Sequence, residues 1–261
     1  MIAVTAVHKA PPEIAARAKE RAAFLGLPYR ERRGTFEEMA ADGTEAFLVY
    51  GKRGPALWAD GHEHAFHTGT ARLRLLALAR GGTDRLCALL PEGTKTVLDC
   101  TFGEGKDALV LSYHLGEAGR VTALEKSAAL WEIGQDGLAH FTDGDPAVTA
   151  ALRRIRLLRV DFREVLRRAP RDAYDVIYFD TMFRRPVKRE TNNREAFRSG
   201  ACYDTLDEAV LAEALRAARL AVIVKERPFA AIFRSGLFTD VHRRRGQTTA
   251  YGVIRKRKER S

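Results

Sequence analysis

The sequence predicts an α/β protein whose main sheet has five parallel strands and ends in an antiparallel hairpin. From Thr94 onward, short apolar runs of strand type alternate with helical runs, an order that is typical of a parallel sheet covered by helices. After Glu226 the order changes to two β-rich runs separated by Gly246 and Gln247, as in a hairpin. Residues 1–66 precede this pattern and predict a small α/β appendage.

The N-terminal region predicts strands around one helix. The predicted strands are residues 2–7, 45–51 and 55–60. The helix predicted for residues 11–27 begins with prolines and repeats its apolar residues about every 3.6 positions. Residues 67–92 then predict two helices separated by Gly81 and Gly82.

In the main region, strands and helices alternate along the chain. The predicted strands are residues 95–100, 120–125, 155–160, 174–180 and 220–226. The predicted helices are residues 105–116, 127–141, 162–168 and 206–218. We therefore expect an N-terminal region at 1–66, a main domain at 67–256 and a basic tail at 257–261.

Positive charge is the strongest signal in the composition. The chain carries 44 Lys and Arg against 34 Asp and Glu, a net charge of +10. The excess is concentrated in residues 184–198, 243–245 and 255–260. Such clusters attract phosphates and release counterions, so they predict a polyanionic partner. The alternative is a solvated basic surface.

The sequence also bears on where the protein works. No run approaches the roughly 18 apolar residues of a membrane span, and no membrane partner is expected. The N-terminus lacks the segments of a secretory signal, which predicts a cytoplasmic protein. Cys87, Cys100 and Cys202 have unrelated spacings, so they predict reduced thiols rather than a disulfide framework or a zinc cluster.

The stretch VLDCTFGEGKDALVL, residues 97–111, predicts a strand, a glycine turn and a helix in succession. In open α/β sheets, ligands bind at the carboxyl ends of strands, and the first strand-to-helix turn is the usual contact. Gly103 and Gly105 let a ligand approach the backbone closely and permit positive φ. The spacing also satisfies G-x-G-x-x-A, so a dinucleotide is an alternative ligand.

Acidic residues at strand ends distinguish between these ligands. Asp99 ends the strand before the turn, where a carboxylate favours a cationic ligand and repels a pyrophosphate. Glu125 ends the next strand, where it is expected to accept hydrogen bonds from two ribose hydroxyls. Asp161 follows the third strand and is expected to accept from an adenine amino group while Phe162 packs on the ring. The cofactor that fits is S-adenosylmethionine.

These motifs resemble those of class I methyltransferases. VLDCTFGEGKDAL looks like their first motif, ALEKS like their acidic second, RVDF like their adenine loop and YFDTMF like their fourth, over about residues 67–256. The resemblance implies a Rossmann-like sheet of seven strands and S-adenosylmethionine as cofactor. The cofactor-binding residues that it implies are Asp99, Thr101, Gly103, Gly105, Asp107, Glu125, Lys126, Asp161 and Phe162.

A narrower resemblance concerns the substrate. LDCTFGEGKDALVL, YFDTMF and VIVKERP together are most similar to the RsmJ-like family, which methylates a guanine amino group in small-subunit ribosomal RNA. They also resemble bacterial methyltransferase-like proteins with no assigned substrate. The resemblance implies methyl transfer to an exocyclic base nitrogen of RNA, with guanine N2 favoured.

The fourth motif bears on the methyl acceptor. A base amine attacks a sulfonium poorly until acceptors favour a tetrahedral nitrogen, and Asp180 with a neighbouring carbonyl is expected to supply them. Phe183 is expected to stack on the flipped base, so Asp180 and Phe183 are the catalytic candidates. RsmJ-like proteins carry Asp-Pro-Met-Phe, whereas this chain has Thr181 in place of Pro, which is expected to loosen the loop.

A basic loop and a strand end are expected to hold the substrate. Residues 184–203 are long and basic for a plain crossover and predict a substrate-binding lid, with a disordered connection as the alternative. The predicted substrate-binding residues are Met182, Arg184, Arg185, Lys188, Lys225 and Arg227.

Alternatives remain for several side chains. Asp99 and Glu125 are alternatively helix N-caps. Arg72 or Arg74 is expected to pair with the carboxylate of the cofactor, or else to lie on a helix surface. The turn-like sequence around His62, His64 and His67 predicts solvated side chains, and no metal is expected. The alternative functions are a small-molecule methyltransferase, a non-catalytic nucleotide-binding module and a dinucleotide oxidoreductase.

Overall fold

A computed structural model describes residues 1–181 and 206–256, in which eleven strands and eight α-helices occur. The strands are β1 (Ile2–Ala6), β2 (Ala46–Gly51), β3 (Gly54–Ala59), β4 (His62–Ala65), β5 (Thr96–Asp99), β6 (Arg120–Glu125), β7 (Ile155–Arg159), β8 (Tyr174–Asp180), β9 (Ala218–Glu226), β10 (Asp240–His242) and β11 (Ala250–Arg255). The helices are α1 (Pro12–Leu25), α2 (Phe36–Met39), α3 (Gly69–Ala79), α4 (Lys106–Leu115), α5 (Ala128–His140), α6 (Pro146–Arg153), α7 (Phe162–Arg168) and α8 (Glu208–Ala217). Among these helices, none has both the length and the apolar character needed to cross a membrane.

The described chain divides into two compact units. Met1–His67 and Ser127–Phe141 form the first unit. Thr68–Lys126 belongs to the second, together with residues 142–181 and 206–256. Helix α5 therefore belongs to the first unit, although its sequence lies within the main region. The assignment of domains at 1–66 and 67–256 stays a prediction, and the basic tail lies outside the described residues.

The first unit is built on a four-stranded sheet in the order β1-β2-β3-β4. β1 runs parallel to β2, while β2, β3 and β4 are antiparallel neighbours. Strand β4 was not expected, and the expectation of a solvated His64 is wrong. His64 lies opposite Leu57 in the register and is buried, because alternate residues of a strand face the same side.

A buried carboxylate links helix and sheet within the first unit. Glu132 of α5 accepts two hydrogen bonds from the guanidinium of Arg21, at 2.9 and 2.5 Å, and a third from the Tyr50 hydroxyl at 2.7 Å. The side chain of Glu132 is 5% exposed. Burial raises the pKa of Tyr50, and the hydrogen bond to Glu132 raises it further, so the hydroxyl keeps its proton and remains a donor.

The second unit contains the predicted sheet, with seven strands in the order β10-β11-β9-β8-β5-β6-β7. Strands β5 to β9 are parallel where they pair, and β11 pairs antiparallel with both β9 and β10. The prediction of five parallel strands and a closing hairpin is confirmed. Strands β6 and β7 lie on one side of β5 and strands β8 and β9 on the other, so the strand order switches next to β5 and the carboxyl ends of β5 and β8 are neighbours at the centre of the sheet.

Some helical elements differ from the expectation. Helix α6 was missed, although Asp145 caps it by accepting from the Ala147 amide at 2.8 Å and Pro146 occupies its first turn. That combination is a usual helix start and was available in the sequence. The helix expected after Gly82 is reduced to a 3₁₀ turn at Cys87–Leu89. Cys87 and Cys100 are free and buried.

Apolar side chains of the central strands form a buried cluster that holds these strands in register. Leu98, Leu124, Ile177 and Phe179 come from neighbouring parallel strands and are at most 1% exposed. Strands buried on both faces keep a fixed register, because a slip would expose these side chains. The register in turn places the carboxylates of Asp99, Glu125 and Asp180 at one edge of the sheet.

Candidate active site

The turn between β5 and α4 contains two glycines in the left-handed conformation. The Phe102 amide donates to the Leu124 carbonyl at 2.9 Å, and the Gly105 amide donates to the Phe102 carbonyl at 2.8 Å. Gly103 and Gly105 have φ of 56° and 73°, in the left-handed region. A Cβ on Gly105 would lie 2.5 Å from the Phe102 ring, so a side chain at this position would displace the ring.

Glu125 fastens this turn to the next strand. Its Oε2 accepts a hydrogen bond from the Gly103 amide at 3.1 Å, and the residue is buried. The residue at the N-cap of α4 is Gly105, and the residue at the N-cap of α5 is Ser127. The alternative that Asp99 and Glu125 are helix N-caps is therefore wrong.

Asp99 is a buried acid with unused hydrogen-bonding capacity. Its Oδ1 accepts from the Thr101 amide at 3.0 Å, whereas its buried Oδ2 has no hydrogen-bond partner in the described part of the chain. Burial raises the pKa of Asp99 to about 8, and the negative charges of Asp107 and Asp180 act in the same direction. A donor or a positive charge at this point would relieve that cost.

The predicted adenine-loop residues lie beyond β6 and β7. Asp161 caps α7 by accepting from the Arg163 amide at 2.9 Å, and its Oδ2 lies 3.0 Å from Lys126 Nζ. Burial alone would raise the pKa of Asp161, but these two interactions outweigh it and lower the pKa. Phe162 is 7% exposed and meets the Phe179 ring edge-on at 5.6 Å, within the apolar cluster. Its packing on adenine stays a prediction.

Asp107 is the centre of a buried charged cluster. Its carboxylate accepts from the Tyr178 hydroxyl at 2.7 Å, from Lys225 Nζ at 2.9 Å and from the Arg74 guanidinium. Burial opposes ionisation of Asp107, but the positive charges of Lys225 and Arg74 prevail and hold its pKa well below the usual range. Asp107 is therefore ionised at neutral pH.

Lys225 connects this cluster to the predicted catalytic acid. Its Nζ lies 2.9 Å from Asp107 and 2.6 Å from Asp180, because β9 pairs with β8 at the position opposite Asp180. Burial would lower the pKa of Lys225, but the two carboxylates raise it. The contact between Lys225 and a substrate phosphate stays a prediction. The observed pairing shows that the Lys225 ammonium favours the ionised form of Asp180.

Asp180 ends β8 at the carboxyl edge of the sheet. Its side chain is 30% exposed, and its backbone amide donates to the Thr101 hydroxyl at 2.6 Å. Burial and the nearby charge of Asp107 raise the pKa of Asp180 to about 6, while Lys225 opposes them. Thr101 thus connects the first motif to the fourth, and the pKa of Asp180 lies above the usual range of a carboxyl group.

Thr181 is held by hydrogen bonds directly after β8. Its hydroxyl donates to Glu226 at 2.8 Å and lies 3.3 Å from the Lys225 carbonyl. Thr181 is therefore restrained by hydrogen bonds, while the expected loosening of the segment after it stays a prediction, because that segment lies outside the described residues. The other oxygen of Glu226 accepts from the Arg227 amide at 2.7 Å.

Sequence reasoning missed the pairings that support the cluster, and it did not name Asp84. Arg74 bonds both oxygens of Asp84, at 2.7 and 2.9 Å, as well as Asp107. Arg72 pairs with Asp143 at 2.9 Å. One of these two arginines was expected to pair with the cofactor carboxylate, and each of them is bonded to an aspartate of the chain.

Part of the predicted site lies outside the described residues. This part comprises Met182, Phe183, Arg184, Arg185, Lys188 and the remainder of the predicted lid. Their roles stay predictions.

The sheet order and the glycine turn define a class I, Rossmann-like methyltransferase. The fold matches the crystal structure of a S-adenosylmethionine-dependent methyltransferase from Neisseria gonorrhoeae with a TM-score of 0.62 at 17% identity, covering 98% of this chain and 96% of that chain. The family model described as "Putative SAM-dependent methyltransferase" matches residues 64–248. The chain belongs to this family, and it is a S-adenosylmethionine-dependent enzyme.

Two relatives extend over most of the chain. YpiP of Bacillus subtilis is 34% identical over 242 residues, which cover 91% of this chain and 93% of that protein. Ribosomal RNA small subunit methyltransferase J of Pseudomonas fluorescens is 31% identical over 216 residues, which cover 80% of this chain and 79% of that protein. The dinucleotide oxidoreductase alternative is thereby set aside.

Proposed function

We propose that this enzyme methylates an exocyclic amine of an RNA base, with guanine N2 of ribosomal RNA favoured. The observation that carries the proposal is Asp180, a partly exposed carboxylate at the carboxyl edge of the sheet, held by Lys225 at 2.6 Å. The name of the 31% identical relative supports ribosomal RNA as the substrate class. The net charge of +10 also suits a polyanion, and the proposed location is cytoplasmic.

The residues at this edge fit S-adenosylmethionine. Asp99 has a buried oxygen without a partner in the described chain, which suits the amine or the positive charge of this cofactor. Gly103 and Gly105 have positive φ and carry no side chain, so a ligand can lie against the backbone of the turn. We infer that Asp99, Gly103 and Glu125 hold the cofactor. When bound, it supplies a methyl group on a cationic sulfur.

The remaining predicted cofactor-binding residues form two groups, one near the methionine moiety and one near the adenine. Thr101 and Asp107 would act mainly by fixing the acids around the methionine moiety, because both are bonded to other site residues. Lys126, Asp161 and Phe162 follow the neighbouring strands and are proposed to border the adenine.

Asp180 is proposed to act directly on the acceptor. Its carboxylate accepts a hydrogen bond from the base amine, which localises the nitrogen lone pair and orients it for attack. Once the methyl group is attached, the nitrogen loses a proton, and Asp180 takes it. Lys225 favours the ionised form of Asp180 before the reaction. Phe183, Met182, the basic lid and Arg227 are proposed to hold the flipped base and its backbone.

The decisive experiment incubates the enzyme and radiolabelled S-adenosylmethionine separately with three acceptor pools, which are total RNA, DNA and a small-molecule extract. We expect label in RNA, and nucleoside digestion should place it on guanine. Salt should lower RNA labelling steeply, since phosphate contacts release counterions. Label that enters the small-molecule pool at a salt-independent rate would contradict the RNA assignment. A chain that binds the cofactor but labels none of the pools would contradict all three acceptor classes.

A further inference from the structure

A turn just after β9 presents an aromatic ring to solvent. The Ala230 amide donates to the Arg227 carbonyl at 3.1 Å, which places Pro228 and Phe229 at the centre of a turn. Phe229 is 86% exposed, more than any other large apolar residue among those described. Proline presets the backbone of such a turn, so the ring is held outward by a stiff segment.

An arginine-rich segment is hydrogen-bonded to this turn. Arg243 Nε donates to the Pro228 carbonyl at 2.7 Å, and its guanidinium lies 6.0 Å from the Phe233 ring. Arg244 and Arg245 continue the same exposed segment, and Arg234 is exposed at the end of the 3₁₀ turn Ala231–Arg234. The hydrogen bond of Arg243 therefore keeps a cationic segment beside the aromatic turn.

The turn is close to the proposed acceptor site along the chain. Lys225 contacts Asp180, and Phe229 follows it by four residues. Four residues span at most about 14 Å when fully extended. A nucleotide on the Phe229 ring would therefore lie close to one whose base reaches Asp180.

We propose that Phe229 is a stacking site for an unpaired RNA nucleotide that flanks the methylated one, with the 243–245 arginines contacting its phosphates. The inference rests on the proposed RNA substrate. Proteins that recognise unpaired RNA combine exposed aromatic rings, on which bases stack, with cationic segments that follow the backbone. The Phe229 turn has both features. A phenylalanine that is 86% exposed contributes little apolar burial until a partner covers its ring.

The test compares Phe229→Ala with Phe229→Trp. The probe is a short fluorescein-labelled single-stranded RNA, and its Kd is measured by anisotropy at fixed salt. Loss of one stacked base should raise the Kd of the Ala variant about 5- to 150-fold, while the Trp variant stays near wild type. Leu73→Ala is the matched control, because Leu73 is 70% exposed on α3 and has no predicted RNA contact. S-adenosylmethionine binding should be unchanged in all three variants.

The outcomes separate this inference from the proposed function. If wild type labels RNA and F229A binds the probe as tightly as wild type, the stacking site is wrong and the RNA methyltransferase stands. If wild type neither binds the probe nor labels RNA, both are wrong. If F229A keeps its RNA affinity but loses self-association in sedimentation velocity, the ring serves a protein contact and the inference is overturned.

Discussion

Both compact units contain a buried carboxylate that accepts hydrogen bonds from a tyrosine and an arginine, but the charges around the two carboxylates differ. In the first unit, Glu132 meets Tyr50 and the single guanidinium of Arg21. In the second, Asp107 meets Tyr178 and two cations, each of which also bonds another aspartate. The same local pattern therefore sits in two different electrostatic settings.

The difference is between a balanced buried pair and a buried cluster with excess negative charge. Glu132 is 5% exposed and its charge is matched by one arginine. In the second unit, Arg74 and Lys225 face Asp84, Asp107 and Asp180, so negative charge is in excess, and Asp180 is 30% exposed. A balanced buried pair favours one packing arrangement. A cluster with excess charge and an open side can also act on a cationic ligand or a polar acceptor.

The largest expected effect is that of Asp107→Asn on folding. Asn offers one acceptor oxygen where Asp107 uses two, so its NH2 group would face the buried donors of either Arg74 or Tyr178 and Lys225, and the free energy of unfolding should fall by about 3–5 kcal/mol. Urea denaturation measures it. The control is Glu164→Gln, which breaks an exposed pair with Arg168 and should cost at most about 1 kcal/mol. Equal losses in the two variants would contradict the distinction between the buried cluster and surface pairs.

Asp180→Asn should affect catalysis more than binding. Removing one transition-state acceptor typically lowers kcat by about 10²–10³-fold. Single-turnover methylation of RNA measures the rate, and titration should show an almost unchanged Kd for S-adenosylmethionine. An unaltered rate would remove Asp180 from the mechanism.

Glu132→Gln should lower stability and leave catalysis unchanged. Loss of a charged hydrogen-bond acceptor should lower the free energy of unfolding by about 1.5–3 kcal/mol. Methylation per folded molecule should match wild type, because Glu132 belongs to the balanced pair. A fully folded E132Q sample with a lower kcat would show that the first unit takes part in catalysis.

The smallest expected effect is on the pH dependence of the rate. The pKa of Asp180 is raised to about 6, and the ionised form is the proposed acceptor. The single-turnover rate should therefore be constant above that pH and fall about tenfold for each pH unit below it. The D180N variant should show a flat profile at its low residual rate. A wild-type rate that is level down to pH 4 would mean that ionised Asp180 is not required.

The sequence predicts the main sheet well because its strands are buried on both faces and carry continuous apolar runs. The ends of β5, β6 and β8 follow from those runs, and so do the positions of Asp99, Glu125 and Asp180. Strand β4 was missed because its polar histidines resemble a turn. Helix α6 was missed although its Asp-Pro start was visible.

The partners of the site residues were not predictable in the same way. The contact between Arg74 and Asp107 joins α3 to α4, and no local spacing encodes such a tertiary pairing. Lys225 was placed near the acceptor, but its position between two carboxylates depends on the register of β9 against β8. Motifs therefore identify which residues reach the edge of the sheet, whereas three-dimensional packing decides their charge.

The two outer strands of the main sheet bear on how the protein behaves during purification. β10 has three residues, and β7 exposes Arg156 and Arg159 along the opposite edge. Short or charged edges hinder sheet-to-sheet pairing between molecules. Salt at about 1 M shortens the Debye length to about 3 Å, so a high-salt wash weakens the repulsion at the β7 edge. Preparations washed in this way should be returned promptly to low salt to remain dispersed.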